Sequence, residues 1–274
     1  MALRINTNVA AINSHRQLLG TEMALGKSME KLSSGFRINR ASDDAAGLAI
    51  ANRLRTNVRS LTVASRNVVE GKSMLQIAEG SVNQIEGILE RMKELATQAA
   101  SANASGDLDK LDAEYQTLLD EIDRISADAE YQTTPLLDGT FSGTFQVGSG
   151  GTAGTDSMNV GISTAVTTTG LSLTSSAVDT TAHAISALTE IDTAIDSIAE
   201  VLGDIGAGMN RLDYTYSNLQ VQIENFSASE SVIRDADMAA EMVSFTKNQI
   251  LLQAGTAMLA QANMSSQVVL SLFG

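Results

Sequence analysis

A chain of 274 residues with no cysteine, no tryptophan and a single proline cannot form disulfides, thiolate nucleophiles or Cys-type zinc sites, and its apolar content rests on Ala, Leu, Ile, Val and Met. A formal net charge of −14 sets self-repulsion and phosphate repulsion against binding to nucleic acid or an anionic membrane. No stretch approaches the roughly 20 apolar residues of a membrane span, so no membrane insertion is expected, and MALRINTNVAAINSHRQLLG lacks the continuous apolar run of a secretory signal, so an exported product would need another route.

Residues 5 to 32 place Ile5, Val9, Ile12, Leu19, Met23, Leu25, Met29 and Leu32 in an imperfect heptad, which predicts a narrow-faced helix. The following stretch, KLSSGFRINRASDDAAGLAIANRLR at 31 to 55, reads as helix, break, helix, with basic residues crowded around the break. Ser33, Ser34 and Gly35 interrupt the first helix, and Asp43 is placed to cap the second. That second helix carries Leu54, Val58, Leu61, Ser65, Val68, Lys72 and Leu75, then, one residue out of phase, Ala78, Val82, Ile85, Leu89, Met92 and Ala96. A slip between Gly71 and Gly80 is expected, where a change of winding is cheapest. After SANASGD, with Asp107 as the expected cap, a third set follows at Leu108, Leu111, Tyr115, Leu118, Ile122, Ile125 and Ala129.

From residue 138 to 181 the chain is rich in Gly, Ser and Thr, with short alternating runs such as TFQV and MNVGI; Pro135 stands just before it, where a helix must end. One or two small β-hairpins with flexible, surface-exposed connections are expected. Then Leu188, Ile191, Ile195, Ile198, Leu202, Ile205, Met209, Leu212, Tyr216, Leu219, Ile223 and Phe226 alternate at spacings of three and four, a seam that continues to Ile233 and predicts a helix of roughly 75 Å. A last helix-prone segment carries Met238, Met242, Phe245, Leu252 and Leu259.

The expected fold is mainly α: a rod-shaped bundle of long helices with terminal coiled-coil segments and a small β-hairpin insert. Three divisions follow: residues 1–45 with 236–274 as a terminal coiled coil, 46–137 with 182–235 as a helical rod, and 138–181 as an exposed insert. Arg53, Arg55, Arg59, Arg66 and Lys72 stand against one acid, Glu70, in the second helix, whereas Glu190, Asp192, Asp196, Glu200 and Asp204 have no base among them. This asymmetry predicts that the two stretches lie side by side. The terminal stripes are too narrow to offset chain entropy of roughly 1–2 kcal/mol per residue alone, so they are expected to be loose in the single chain and ordered on assembly with other copies.

Catalysis finds no support. His15 and His183 are far apart, without ligand spacing, and VGSGGTAG has neither the strand and helix frame of a phosphate loop nor a following Lys. No cofactor or metal is expected. The NAS at 103–105 matches an acceptor sequon.

The 31–55 stretch, RINTNVAAINSHRQL before it, and SASESVIRDADMAAEMVSFTKNQILLQAGTAMLAQAN at 227–263 closely resemble bacterial flagellins, over roughly the first 130 and last 90 residues. The resemblance implies a homopolymer, a filament outside the cell, with the termini coiled in its inner core (Ile5, Val9, Ile12, Leu19, Met242, Phe245, Leu252, Leu259). Residues 33 to 47 would be a spoke in which Arg37, Arg40 and Asp44 bridge neighbouring subunits. It further implies export through a type III apparatus, a chaperone on the C-terminal segment, a filament cap protein and a hook-filament junction protein as partners. In flagellins detected by a vertebrate innate immune receptor, the contact centres on an Arg and a Leu in a segment similar to LERMKELATQAA, with a Glu on the following helix. Here these are Arg91, Leu95 and Glu114. Alternatives are a hook-filament junction protein or a non-polymerising coiled-coil scaffold or adhesin. The chain departs from the family at EYQTTPLLDG, where Asn-Gly is common, and at ANMSSQVVLSLFG.

Overall fold

The computed structural model describes residues 7–101, 107–152, 154–174 and 176–273, with side chains up to residue 265 in the last helix. Ile5 and the NAS sequon lie outside the described residues. The helices are α1 (Val9–Ser34), α2 (Ala45–Ala99), α3 (Leu108–Asp128), α4 (Thr181–Arg234) and α5 (Met238–Phe273). Between α3 and α4 stand β1 (Glu130–Tyr131), β2 (Thr134–Pro135), β3 (Ser142–Gln146) and β4 (Ser157–Gly161), paired antiparallel in two hairpins. The chain forms two compact units, Met1–Thr56 with Asn225–Gly274, and Asn57–Glu224. The breaks therefore fall inside α2 and α4 rather than at 45/46 and 235/236, and residues 138–181 belong to the second unit.

In that unit α2 buries Leu61, Ala64, Val68, Gly71, Leu75, Ala78, Val82, Ile85, Leu89, Met92, Ala96 and Ala99, an unbroken alternation of three and four. The expected slip is absent. It arises only if Ser65 and Lys72 are counted as seam positions; Ala64 and Gly71 occupy the seam, and Lys72 reaches sideways to Asp213 on α4 at 2.8 Å. A Cβ at Gly71 would lie 2.9 Å from the Phe145 ring, so the smallest residue is needed where the β3–β4 hairpin meets α2.

The same substitution of small for large recurs on α4. Ile191, Ile198, Ile205, Leu212 and Leu219 are buried as expected, but their partners in the seam are Ala187, Ala194, Val201 and Gly208. The expected Leu188, Ile195, Leu202 and Met209 stand one position further on and are only half-buried. On α3, Leu119 and Ser126 likewise take the inward places expected for Leu118 and Ile125. Small residues let the backbones approach; the larger neighbours then close the flanks. Asp107 precedes α3 but its carboxylate does not cap the helix; it binds Lys110 Nζ at 2.7 Å instead.

α2 and α4 run antiparallel in one register, with Gln220 donating to Ser65 at 3.1 Å, Lys72 against Asp213 and Lys93 against Asp192. The helices are neighbours, as the charge asymmetry suggested, yet the two charged stretches do not face each other. Residues 190–204 lie opposite 81–95 of α2, and Arg66 opposite Leu219.

The segment expected as a surface insert is built into the core. Phe141, Met158, Val160, Ile162, Val166, Leu171, Leu173 and Val178 are buried. Its irregular part after β4 has no ladder to satisfy its polar groups, and α3 supplies side chains instead. Asp123 accepts from the Thr168 backbone N–H at 2.8 Å and hydroxyl at 2.7 Å, and Asp112 accepts from the Val178 N–H at 2.9 Å. Tyr115, fully buried, shares a 2.6 Å hydrogen bond with Ser176. Burial pushes the Tyr115 phenol above the usual tyrosine value near 10, the Ser176 bond opposes this, and the Glu190 and Asp112 charges add to it. A raised phenol favours the neutral form, so its contribution is complete below the unfolded value and is lost as pH rises through the folded one.

β1 and β2 are joined by Gln132 and Thr133 at φ +48° and +71°. Both positions suit Asn-Gly and penalise a β-branched residue, which gives the departure at EYQTTPLLDG a physical meaning. Gln132→Asn with Thr133→Gly should raise the stability of this unit by about 1 kcal/mol, read as a higher denaturant midpoint at unchanged slope.

Candidate functional site

The first unit is built on the antiparallel pair α1 and α5. Asn8 starts α1, accepting the Ala11 N–H at 3.0 Å, while its amide donates to the Ala262 carbonyl at 2.9 Å. At the other end Lys31 meets Glu241 at 3.7 Å. Asp237 caps α5 by accepting from the N–H groups of Ala239 and Ala240 at 2.9 and 3.1 Å.

The shielded side of α1 recurs at Ala11, Ser14, Leu18, Thr21, Leu25, Ser28 and Leu32, and that of α5 at Glu241, Phe245, Asn248, Leu252, Gly255, Leu259 and Ala262. Both follow steps of three and four. Gly255 admits Leu18, whose Cδ1 lies 2.8 Å from where a Cβ would stand. Phe245, Leu252 and Leu259 thus sit in this seam.

Val9, Ile12, Leu19 and Met242 do not. They are 45 to 59 % exposed and share the uncovered side with Met23, Met29, Val243, Ile250, Leu251 and Met258. The termini expected to be loose are helical and paired; the seam between them mixes Leu18, Leu25, Leu32, Phe245, Leu252 and Leu259 with Ser, Thr, Ala and Gly, and a second set of large apolar side chains faces out.

The spoke stretch joins α1 to α2 within the same unit. Gly35 ends α1 at φ +74° and returns its N–H to the Lys31 carbonyl at 2.8 Å, an αL cap that suits glycine. Ser33 is exposed, and Ser34 accepts from Asn39 Nδ2 at 2.7 Å and the Phe36 N–H at 3.1 Å. Asp44 caps α2 through the Gly47 N–H at 2.9 Å, the role expected of Asp43. Asp43 instead closes the turn before it, accepting from the N–H groups of Arg40 and Asn39 at 3.0 and 3.2 Å. The Arg40 amide, then that of Asn39 and the charges of Lys27 and Lys31, hold its carboxyl below the usual carboxylate range.

Arg37 and Arg40 also have partners inside the chain. The Arg37 N–H donates to the Arg234 carbonyl at 2.7 Å and its guanidinium to the Ile233 carbonyl, while Arg40 Nε binds Glu30 at 2.8 Å. An isolated bridge pairs Phe36 with Asp235, the Ala236 N–H donates to Gly35 at 2.9 Å, and the Arg234 guanidinium lies 4.1 Å over the Phe36 ring. Both connections, α1–α2 and α4–α5, are therefore fastened together. Sequence reasoning missed Asn8, Phe36, Asn39, Arg234 and Asp237. The two caps had a local signal, an Asx residue ahead of an apolar run; Asn39 acts within its own turn through Ser34 and Asp43, and Phe36 and Arg234 depend on contacts across some 200 positions of chain.

Arg91, Leu95 and Glu114 lie in the second unit. Arg91 pairs with Glu94 at 2.8 Å and Glu114 at 2.9 Å, which raises its pKa. Leu95 is 1 % exposed. It belongs to the core of the unit and is absent from the surface the other two present. Among the described residues, no group of three or more His, Cys, Asp or Glu is placed to hold a metal, and no helix is long and apolar enough to cross a membrane.

A helix pair that fills one seam and still leaves Ile12, Met23, Val243, Ile250 and Met258 more than half exposed has the character of a self-assembling helical subunit. Its sequence matches the bacterial flagellin N-terminal helical region over residues 5–142 and the C-terminal helical region over 188–273. It is 44 % identical to a flagellin of Halalkalibacterium halodurans across 98 % of both chains, and 40 % identical to a Bacillus subtilis flagellin across 98 % of this chain and 99 % of the relative. The crystal structure of Bacillus cereus flagellin superposes with a TM-score of 0.50 at 32 % identity, covering 60 % of this chain and 94 % of that one. A putative flagellar hook-associated protein from Vibrio parahaemolyticus shares the fold at 14 % identity, TM-score 0.57, over 70 % of this chain and 99 % of its own. The chain belongs to the bacterial flagellin family and is a subunit of the flagellar filament. Full-length likeness to flagellins disfavours the junction-protein and scaffold alternatives.

Proposed function

We propose that α1 and α5 form the inner seam of the filament and that their uncovered apolar sides are the surface on which successive subunits are added. The observation that carries this reading is the exposure of Val9, Ile12, Leu19 and Met23 on α1 and of Met242, Val243, Ile250 and Leu251 on α5. A monomer leaving this much apolar surface in water gains roughly 25 cal/mol per Å² when a neighbour covers it, and the paired helices extend it over roughly 39 Å, at 1.5 Å per residue of α1.

Further parts of the reading follow from family membership. The subunit is exported unfolded through the flagellar type III apparatus; zero cysteine and one proline favour threading. A chaperone holds the C-terminal segment before export, a cap protein guides addition at the tip, a junction protein joins filament to hook, and the filament lies outside the cell. Arg37, Arg40 and Asp44 serve the spoke mainly by bracing it, since each is already engaged within the chain. A vertebrate innate receptor would meet Arg91 and Glu114 as a paired surface, with Leu95 acting beneath them as packing.

Seeding tests the main reading. Full-length chain and a chain lacking residues 1–45 and 236–274 are each added to short filament fragments and followed by sedimentation and negative-stain microscopy. Elongation by the full-length chain alone is expected. Elongation by the shortened chain would remove the termini from the assembly surface.

A further inference from the structure

Charge in the second unit is matched in some places and abandoned in others. Lys72, Arg91, Lys93 and Arg124 each pair with a carboxylate of the chain. Arg59 and Arg66 do not. Both are exposed, and among the described residues neither side chain has an ion-pair or hydrogen-bond partner. Seven positions apart on α2, they share one outward side, away from the seam at Leu61, Ala64 and Val68.

The complementary group is on α4. Asp196, Glu200 and Asp204 are exposed, four positions apart, and equally without a cation among the described residues. Like charges at this spacing repel along a helix, in a chain that already carries −14. By the register of Lys72 with Asp213 and Lys93 with Asp192, the three acids lie opposite 81–89 of α2. The arginines are thus displaced by roughly 30 Å along the helices at 1.5 Å per residue, far beyond the ~8–10 Å over which exposed charges act in physiological salt.

We propose that the occupant of both sites is a second copy: Arg59 and Arg66 of one subunit meet Asp196, Glu200 and Asp204 of its neighbour, with the two copies staggered by roughly 30 Å along their helices. The proposal rests on the filament-subunit reading and adds to it a lateral contact outside the terminal helices. The contact is heterologous, so each copy offers one face and uses the other, and it repeats through an open polymer. Two cations against three acids select the partner and its axial position more than they add strength.

Charge reversal in the full-length chain tests this. Arg59→Glu with Arg66→Glu gives a protein acidic at both faces; Asp196→Lys with Glu200→Lys gives one basic on one face and largely basic on the other. Seeded elongation at 0.1 M salt should fall about tenfold for either protein alone, the lower end of electrostatic effects on association. An equimolar mixture should recover, because each reversed face then finds its opposite. Original protein that elongates while the arginine reversal keeps its full rate, or a mixture no faster than its components, overturns the contact and leaves the terminal seam standing. Original protein that fails to elongate seeds overturns both. Helicity measured by circular dichroism guards against misfolding; should a reversal lose helicity, Arg59→Gln with Arg66→Gln replaces it, and undiminished elongation by that variant also overturns the contact.

Discussion

Leu259→Asp should abolish seeded elongation while leaving the second unit folded. Leu259 is half-buried on the side of α5 that faces α1, so a carboxylate there must either lose water without a partner or force the pair apart. A buried unpaired charge costs several kcal/mol, and each 1.4 kcal/mol is about tenfold in an equilibrium constant, so the critical concentration for growth should rise by at least about a hundredfold. The core of the second unit lies in residues 57–224 and contains no part of this seam, so its helical signal and unfolding midpoint should persist. Sedimentable polymer and circular dichroism on the same sample check both halves. Filaments of normal length from this variant would refute the role given to the terminal pair.

Gly208→Leu should markedly destabilise the second unit. By composition this glycine is an interruption in an apolar helix; in the structure it is a contact. A Cβ there would stand 2.9 Å from Val160 Cγ1 and 3.1 Å from Leu75 Cδ1, one on β4 and one on α2, so a leucine forces the hairpin and α2 off α4 together. Overpacking of this kind costs about 1–3 kcal/mol. The control is Gly203→Leu five positions earlier, where a Cβ meets nothing within 4 Å. There the change should stabilise the unit slightly through helix propensity. Chemical unfolding of the two variants against the original chain separates a packing role from a mere dislike of glycine replacement.

That glycine also explains what could be read from the sequence and what could not. The large buried residues on α2, from Val82 to Met92, and the heptad backbone from Ile191 to Leu212 were legible because leucine, isoleucine and valine announce an inward side by size. The positions between them were misplaced by one residue, since Ala187, Ala194 and Gly208 bury by permitting approach rather than by being strongly apolar. The imagined slip near Gly71 has the same origin. On α1 the error took the opposite form: Leu25 and Leu32 do enter the seam, but Val9, Ile12, Leu19, Met23 and Met29, read with them as one stripe, are exposed while Ser14, Thr21 and Ser28 line the seam beside the leucines, because a periodic stripe does not say whether its partner lies in the same chain or in another.

Polar satisfaction was the other blind spot. Thr168, Ser176 and Val178 looked like loop, and nothing near them in sequence indicated that Asp112, Tyr115 and Asp123, 45 to 66 residues earlier, would hold them. Charge gave the right neighbours and the wrong level: α2 and α4 do lie together, but Lys93, outside the basic stretch, is the residue that meets Asp192. The caps at Gly35 and Asp44 were close to legible, since a glycine after a helix and an Asx before one act through their own backbone.

Six of the side chains left uncovered on α1 and α5 are thioethers: Met23, Met29, Met238, Met242, Met258 and Met264, each at least 47 % exposed. Methionine suits a surface that must adapt to a neighbour in more than one packing, because it is unbranched and polarisable. The same sulfur is open to oxidation, and a sulfoxide is polar and chiral where the interface needs neither. If the proposed assembly surface holds, the unassembled subunit ages: each oxidant encounter before addition removes apolar contact from that surface, whereas a subunit in place would have it covered by its neighbours.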